Sequence, residues 1–219
     1  MISIKDALIE QFRLTKEDGN VISKRQFFSD IYHPTNDGHK IMADCLANLF
    51  SETKKEKKVE TDISLDKLPV IGDDFRDIQL LDRKDNNNAA VTIEVGGFTE
   101  TDSDLQTAEM DYDELAKPQF PYNWMHTAAS VTDHFKIRIN SSSLILIYKD
   151  SASKEFGEAE IFVDGQFMKT INPHLIKWTH CHAAILYNEK ECKEREVEIR
   201  MTPSHKDKCF TILAFGYTV

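Results

Sequence analysis

The sequence predicts a chain of mixed class: a small α/β segment first, then an all-β antiparallel sandwich. Three observations predict it. The apolar period is helical up to about residue 50 and alternating from about residue 62 onward. Between them, Ser51–Asp62 is almost wholly polar and of mixed charge. After it come at least seven short runs of strand-like residues separated by turn signals. The domains are therefore drawn as 1–50, a charged linker over 51–61, and a β-domain over 62–219, the last long enough for one sandwich.

The first segment reads as a strand end followed by helices. Met1–Ile4 is short and apolar, and Lys5–Phe12 gathers Ala7, Leu8, Ile9 and Phe12 on one helical side. Glu17-Asp18-Gly19-Asn20 is a turn. Gly38–Phe50 is helical, with Ile41, Met42, Cys45, Leu46, Leu49 and Phe50 recurring at three- and four-residue steps. So wide a stripe calls for a large packing partner.

In the second segment His134–Ile139 points Phe135, Ile137 and Ile139 one way and Lys136 and Arg138 the other. Glu196–Met201 alternates in the same sense. Leu144–Tyr148 is apolar on both faces, as a central strand would be. Glu158–Val163 runs into Asp164-Gly165, a dipeptide favoured in tight hairpins. Val91–Val95, Ala183–Tyr187 and Phe210–Val219 complete the set.

Composition narrows the function. The formal charge is −10, and because residues 1–61 hold as many basic as acidic residues, all of it falls on the remainder. Phosphate backbones and anionic membrane surfaces are poor partners for such a surface; neutral ligands stay open. No apolar run approaches the roughly 20 residues of a membrane span. Four scattered cysteines without a C-x-x-C pair, and no signal-like leader, suit reduced thiols in a cytoplasmic protein.

One string carries chemistry: Asp30-Ile-Tyr-His33-Pro-Thr-Asn-Asp-Gly38-His39. Asp30 three residues before His33 can accept from the imidazole Nδ1–H and fix the tautomer. Nε2 then serves as a general base toward a hydroxyl. The alternative is a capped loop before a helix, with Asn36 or Asp37 as the cap.

The string resembles the final block of the SGNH (GDSL-type) hydrolases, Asp-x-x-His-Pro followed by Gly-His at the last helix. The resemblance covers residues 1 to about 50. It implies a Ser-His-Asp ester hydrolase on an α/β/α sandwich, with Asp30 as orienting carboxylate and His33 as base. The family's Gly-Asp-Ser nucleophile block is missing: Gly72-Asp73-Asp74 has no serine, there is no Gly-x-Ser-x-Gly elbow, and Ser29 is too close along the chain to face His33. The chain thus reads as the C-terminal part of a longer esterase, inactive alone.

Four later strings occur in order: Phe120–His126, Ile145–Tyr148, Gly157–Gly165 and Phe210–Tyr217. They are similar to the jelly-roll, carbohydrate-binding-like domain attached to SGNH carbohydrate esterases. That implies a neutral glycan or acetylated oligosaccharide as ligand. Trp124, Asn123 and His126, set among loop-forming residues, are the candidate substrate-binding group, and Trp178 is a second stacking candidate. His180-Cys181-His182 places two imidazoles on one strand face but offers no third ligand, and Asp102/Asp104 or Asp111/Asp113 would have to share a calcium ion without an ordered loop pattern, so neither metal nor cofactor is expected. Two other readings stay open. One is a non-catalytic glycan-binding module. The other is an interaction protein that dimerises through the Gly38–Phe50 helix.

Overall fold

A computed structural model describes residues 3–56, 72–84, 91–107, 117–176 and 178–219. The chain divides into two compact units, Met1–Lys67 and Leu68–Val219. Its described part is mostly antiparallel β-sheet with few helices.

In the first unit, helix α1 (Ile4–Arg13) is capped by Ser3, whose hydroxyl accepts from the Asp6 N–H at 3.2 Å. Helix α2 (Lys24–Phe27) opens with a reciprocal Ser23–Gln26 capping box. Helix α3 (Asn36–Lys55) is capped by Thr35, which accepts from Gly38 N–H at 3.1 Å. The cap therefore lies one residue before the expected Asn36, and the helix continues to Lys55, past the expected Phe50. The expected strand end loses Ile4 to α1. Met1 and Ile2, and the linker from residue 57 on, lie outside the described residues.

The core of this unit is small. Leu8, Ile22 and Phe27 are buried, with Ile4, Phe12, Phe28, Ile41 and Met42 packed around them. Phe27 meets Phe28 edge-on at 4.7 Å and Phe12 at 5.8 Å. Gly38 is required where α3 crosses α2, because a Cβ there would sit 2.4 Å from the Phe27 carbonyl oxygen. Beyond that crossing the stripe is only partly covered: Leu46 is 45% and Phe50 64% exposed.

Among the described residues the second unit has eight strands: β1 (Gln79–Leu81), β2 (Val91–Glu94), β3 (Trp124–His126), β4 (His134–Asp150), β5 (Ala159–Val163), β6 (Gln166–Ile171), β7 (His180–Met201) and β8 (Phe210–Thr218). All their pairings are antiparallel, in the order β1-β8-β4-β7-β5-β6, with β2 on β4 and β3 on β8. Two pairs of expected strands are each one long strand. Residues 134–139 and 144–148 both belong to β4, and 183–187 and 196–201 both belong to β7.

These two long strands build two layers. The first half of β4 pairs with β2 and with the second half of β7; the second half of β4 pairs with β8 and the first half of β7. A register shift between Ser141 and Ser143 marks the change. The hydroxyls there are satisfied by neighbouring strands: Ser141 bonds Tyr187 Oη at 2.7 Å and Ser143 bonds Thr218 Oγ1 at 2.6 Å.

The layers face each other through aromatics. Phe135 of the first layer stacks on Phe215 of the second at 5.9 Å and meets Trp124 at 5.4 Å. Phe135, Ile137 and Ile139 are fully buried, as their alternation predicts, while Arg138 on the opposite face pairs with Glu196 at 2.7 Å. The β5–β6 hairpin turns at Asp164 (φ 50°) and Gly165 (φ 77°), two successive left-handed residues that match the strand twist.

Candidate functional site

Asp30 and His33 lie in a tight loop between α2 and α3. Phe28 and Pro34 form an isolated antiparallel bridge, and Thr35 N–H reaches back to the Phe27 carbonyl at 2.8 Å, so both ends of the loop are pinned. Inside it, Asp30 Oδ1 accepts from the N–H groups of Tyr32 (2.7 Å) and His33 (2.8 Å). Its other oxygen, Oδ2, lies 2.6 Å from His33 Nδ1. One carboxylate thus fixes the backbone that carries the imidazole and the imidazole itself.

Three hydrogen bonds to its charged form, first that of the His33 side chain, hold the Asp30 carboxyl down at about 2. The side chains of His33 and Asp30 are 56% and 52% exposed. The spacing-based expectation placed these two groups in hydrogen-bond reach, and the loop does bring them together.

Ser29 is turned away from this chemistry. Its hydroxyl donates to the His33 carbonyl at 3.0 Å, as its N–H does at 2.8 Å. Burial pushes the Cys181 and Cys209 thiols up, away from the thiolate form a nucleophile needs.

Beside the loop, the faces of α1, α2 and α3 enclose an apolar groove of about 650 Å³. Ile31 and Pro34, on either side of His33, line it together with Leu8, Phe12, Phe28 and Met42.

The three residues expected to face a ligand lie instead inside the sandwich. Trp124 is 1% exposed, with Phe135 and Phe215 against it. Asn123 is fully buried and holds a turn together: Oδ1 accepts from Asp102 N–H at 2.8 Å, and Nδ2 donates to the carbonyls of Asp102 (3.0 Å) and Phe120 (3.2 Å). His126 is buried against Phe98 and pairs its Nδ1 with the Lys208 carbonyl at 2.9 Å. Loop-forming neighbours suggested exposure; here they cap a strand that enters the core.

Trp178 is half exposed and packs its ring on His180 at 4.7 Å. His180 and His182 do share a face, with ring centroids 5.5 Å apart. Among the described residues no three His, Cys, Asp or Glu side chains are placed to hold a metal. Asp102 and Asp104 share a cation, but it is the Lys149 ammonium, at 3.0 and 3.1 Å. Asp111 and Asp113 lie outside the described residues.

Sequence reasoning missed a polar cavity, between the β5–β6 hairpin and β7, that is lined by Asp164, Glu189 and Arg195. The only signal was the hairpin dipeptide Asp164-Gly165, because Arg195 sits in a run of alternating charges that reads as a solvated strand.

No protein-family model matches this chain, and no curated protein matches it. Solved structures do. A two-domain esterase active on acetylated mannans is 18% identical, with a TM-score of 0.61 over 90% of this chain and 52% of its own. A two-domain esterase active on acetylated mannans, co-crystallised with mannopentaose, gives a TM-score of 0.59 at 18% identity, over 90% of this chain and 50% of that one. A family two carbohydrate esterase from Cellvibrio japonicus overlays at only 0.38, at 10% identity, over 64% of this chain and 33% of that one. The first two establish a shared fold. This chain spans about half the length of that two-domain esterase.

Proposed function

We propose that this chain is the C-terminal part of an SGNH-type carbohydrate esterase that deacetylates a polysaccharide or oligosaccharide. The observation that carries the reading is the Asp30–His33 pair, with 2.6 Å between Oδ2 and Nδ1 and the second carboxylate oxygen locked to the backbone. That arrangement is what an orienting carboxylate and a general base require. The fold shared with the two-domain esterase over 90% of the chain supports it.

In this reading a serine outside the 219 residues attacks the acetyl carbonyl. His33 Nε2 takes the serine proton and returns it to the departing sugar oxygen, and Asp30 stabilises the imidazolium between the two transfers. Water, deprotonated by the same imidazole, then releases acetate. The apolar groove and the uncovered turns of α3 (Leu46, Phe50) are the packing face toward the rest of that α/β domain. The domain limits in this reading are those drawn from the sequence, 1–50, 51–61 and 62–219, and the β-unit is a jelly-roll that binds neutral glycan.

The test is the DNA upstream of the Met1 codon. An in-frame Gly-Asp-Ser block is expected there. The joined protein should hydrolyse acetyl esters, and His33→Ala should cost it roughly 10³-fold or more in kcat, on the scale of other general-base deletions. An upstream frame without such a block, or a joined protein indifferent to His33→Ala, overturns the reading.

A further inference from the structure

We propose that His174 is a proton-operated clasp: doubly protonated, it fastens the loop after β6 to the loop after β4, and on losing a proton it releases one of its two holds. The ring lies between two backbone carbonyls. Nδ1 is 2.7 Å from the Ser151 oxygen and Nε2 is 3.1 Å from the Phe156 oxygen. A carbonyl oxygen only accepts, so each contact needs an N–H on the ring. A neutral imidazole carries one N–H. In either tautomer its other nitrogen sets a lone pair against an oxygen lone pair. The imidazolium alone donates at both ends.

The two holds are not equal. Next to the Ser151 contact, Ser151 N–H donates to the Pro173 carbonyl at 2.7 Å, and the N–H groups of Leu175 and Ile176 donate to the Asp150 carboxylate at 2.6 and 3.2 Å. His174 N–H donates to Asn172 Oδ1 at 2.9 Å. These bonds keep Nδ1 at Ser151 whatever the ring's charge. Phe156 is pinned to a different segment, through its bridge to Cys209 and the bond from Cys209 N–H to the Glu155 carbonyl at 2.7 Å. The Nε2 contact therefore joins two separately anchored pieces, and it is the hold given up on deprotonation. The loop it steadies displays Leu175 and Ile176, both exposed. The proton thus governs how firmly an apolar surface loop is held.

The surrounding charges fit this assignment. Asp150, fully buried and holding the amide next to His174, favours the charged ring. Beside Phe156, Lys154 and Glu155 are exposed and of opposite sign. Lys149 Nζ lies 4.8 Å from the centre of the Phe156 ring, but Asp102 and Asp104 take up its charge. Burial keeps Cys209 a neutral thiol. Glu158 N–H donates to His205 Nδ1 at 3.1 Å, and the Glu158 carboxylate is 3.9 Å from the same nitrogen. On β7, His180 packs against Trp178, and His182 Nε2 is buried, unbonded and 4.0 Å from Asp150 Oδ2. His182 is thus a second titrating ring on the same carboxylate, and the experiment has to separate the two.

The test is a pH titration of the full chain by nitrogen-15 NMR. It follows the His174 ring nitrogens and the amides of Leu175 and Ile176, whose bonds to Asp150 report any loosening of the loop. At acid pH both ring nitrogens should carry protons. As the pH rises Nε2 should lose its proton first. With the same midpoint the two amides should exchange with solvent at least about tenfold faster, after correction for hydroxide catalysis, which is the scale of one charged hydrogen bond. His174→Gln should abolish that midpoint and His182→Gln should keep it. A ring that stays neutral while the amides are protected overturns the clasp, and so do amides indifferent to the ring's titration. A midpoint lost in His182→Gln and kept in His174→Gln assigns the switch to His182 and overturns it too. The ring signals of the unsubstituted chain decide the first two outcomes even where a variant fails to fold.

Discussion

Replacing Lys149 by Met isolates one buried charge. Lys149 is 2% exposed, and its ammonium lies 3.0 Å from Asp102, itself 5% exposed, and 3.1 Å from Asp104, which is 77% exposed. The Asp104 arm is a surface-type contact and is worth about 0–1 kcal/mol. The Asp102 arm is different: without the cation, a carboxylate stays buried, at a cost of about 3–5 kcal/mol in comparable cases. Thr211 Oγ1 (2.8 Å) and the Asp104 N–H (2.9 Å) still donate to Asp102, which moves the expected loss to the lower end, about 3 kcal/mol. For a unit of this size that lowers Tm by roughly 6–12 °C. Trp124 and Trp178 both lie in the β-unit, so their fluorescence in urea reports its unfolding directly. Adding Asp102→Asn to Lys149→Met should restore most of the stability, since it removes the stranded charge. A loss below about 1 kcal/mol for Lys149→Met, or no recovery in the double variant, refutes the reasoning.

The β-unit carries its own two-layer core, so a fragment of residues 62–219 should melt cooperatively; a broad, non-cooperative melt would count against that. The 219-residue chain should not hydrolyse an aryl acetate above background, because nucleophile and oxyanion donors each supply orders of magnitude; turnover blocked by a fluorophosphonate that labels the chain would disprove this. Asp30 is depressed to about 2 when folded, so its stabilising effect is complete above its unfolded value of 3.8 and is lost as the pH falls through about 2. Asp30→Asn should remove that part of the acid dependence, read by helical circular dichroism, and an unchanged profile would contradict it. If the Gly38–Phe50 stripe also joins two copies, sedimentation will show a mass that rises with concentration, which a monomer at high concentration would exclude.

What was legible in the sequence had local causes. Asp30 and His33 are three residues apart, so their contact depends on one loop. Phe135, Ile137 and Ile139 alternate because one face of β4 is buried and the other wet. What was not legible depended on distant partners. Ser141-Ser142-Ser143 looks like a break between strands, yet Tyr187 and Thr218 accommodate its hydroxyls inside a continuous β4. The strands β1 and β3, three residues each, are too short to show a period. Trp124 reads as a loop residue because Asn123 and His126 satisfy their polar groups on Asp102, Phe120 and Lys208, which no local pattern reveals. Lys149 finds Asp102 across 47 residues.

The position of β8 has a consequence for synthesis. Residues 210–218 are buried along their whole length, between β4 on one side and β1 and β3 on the other. A nascent chain that has emerged only as far as residue 201 has made β4, β5, β6 and β7 but lacks the strand that β1 and β3 pair with. Phe135 then has no Phe215 to stack on. Core closure must therefore wait until β8 has left the ribosome. Until then the inner face of β4 stands open, and that interval is when this protein most needs a chaperone.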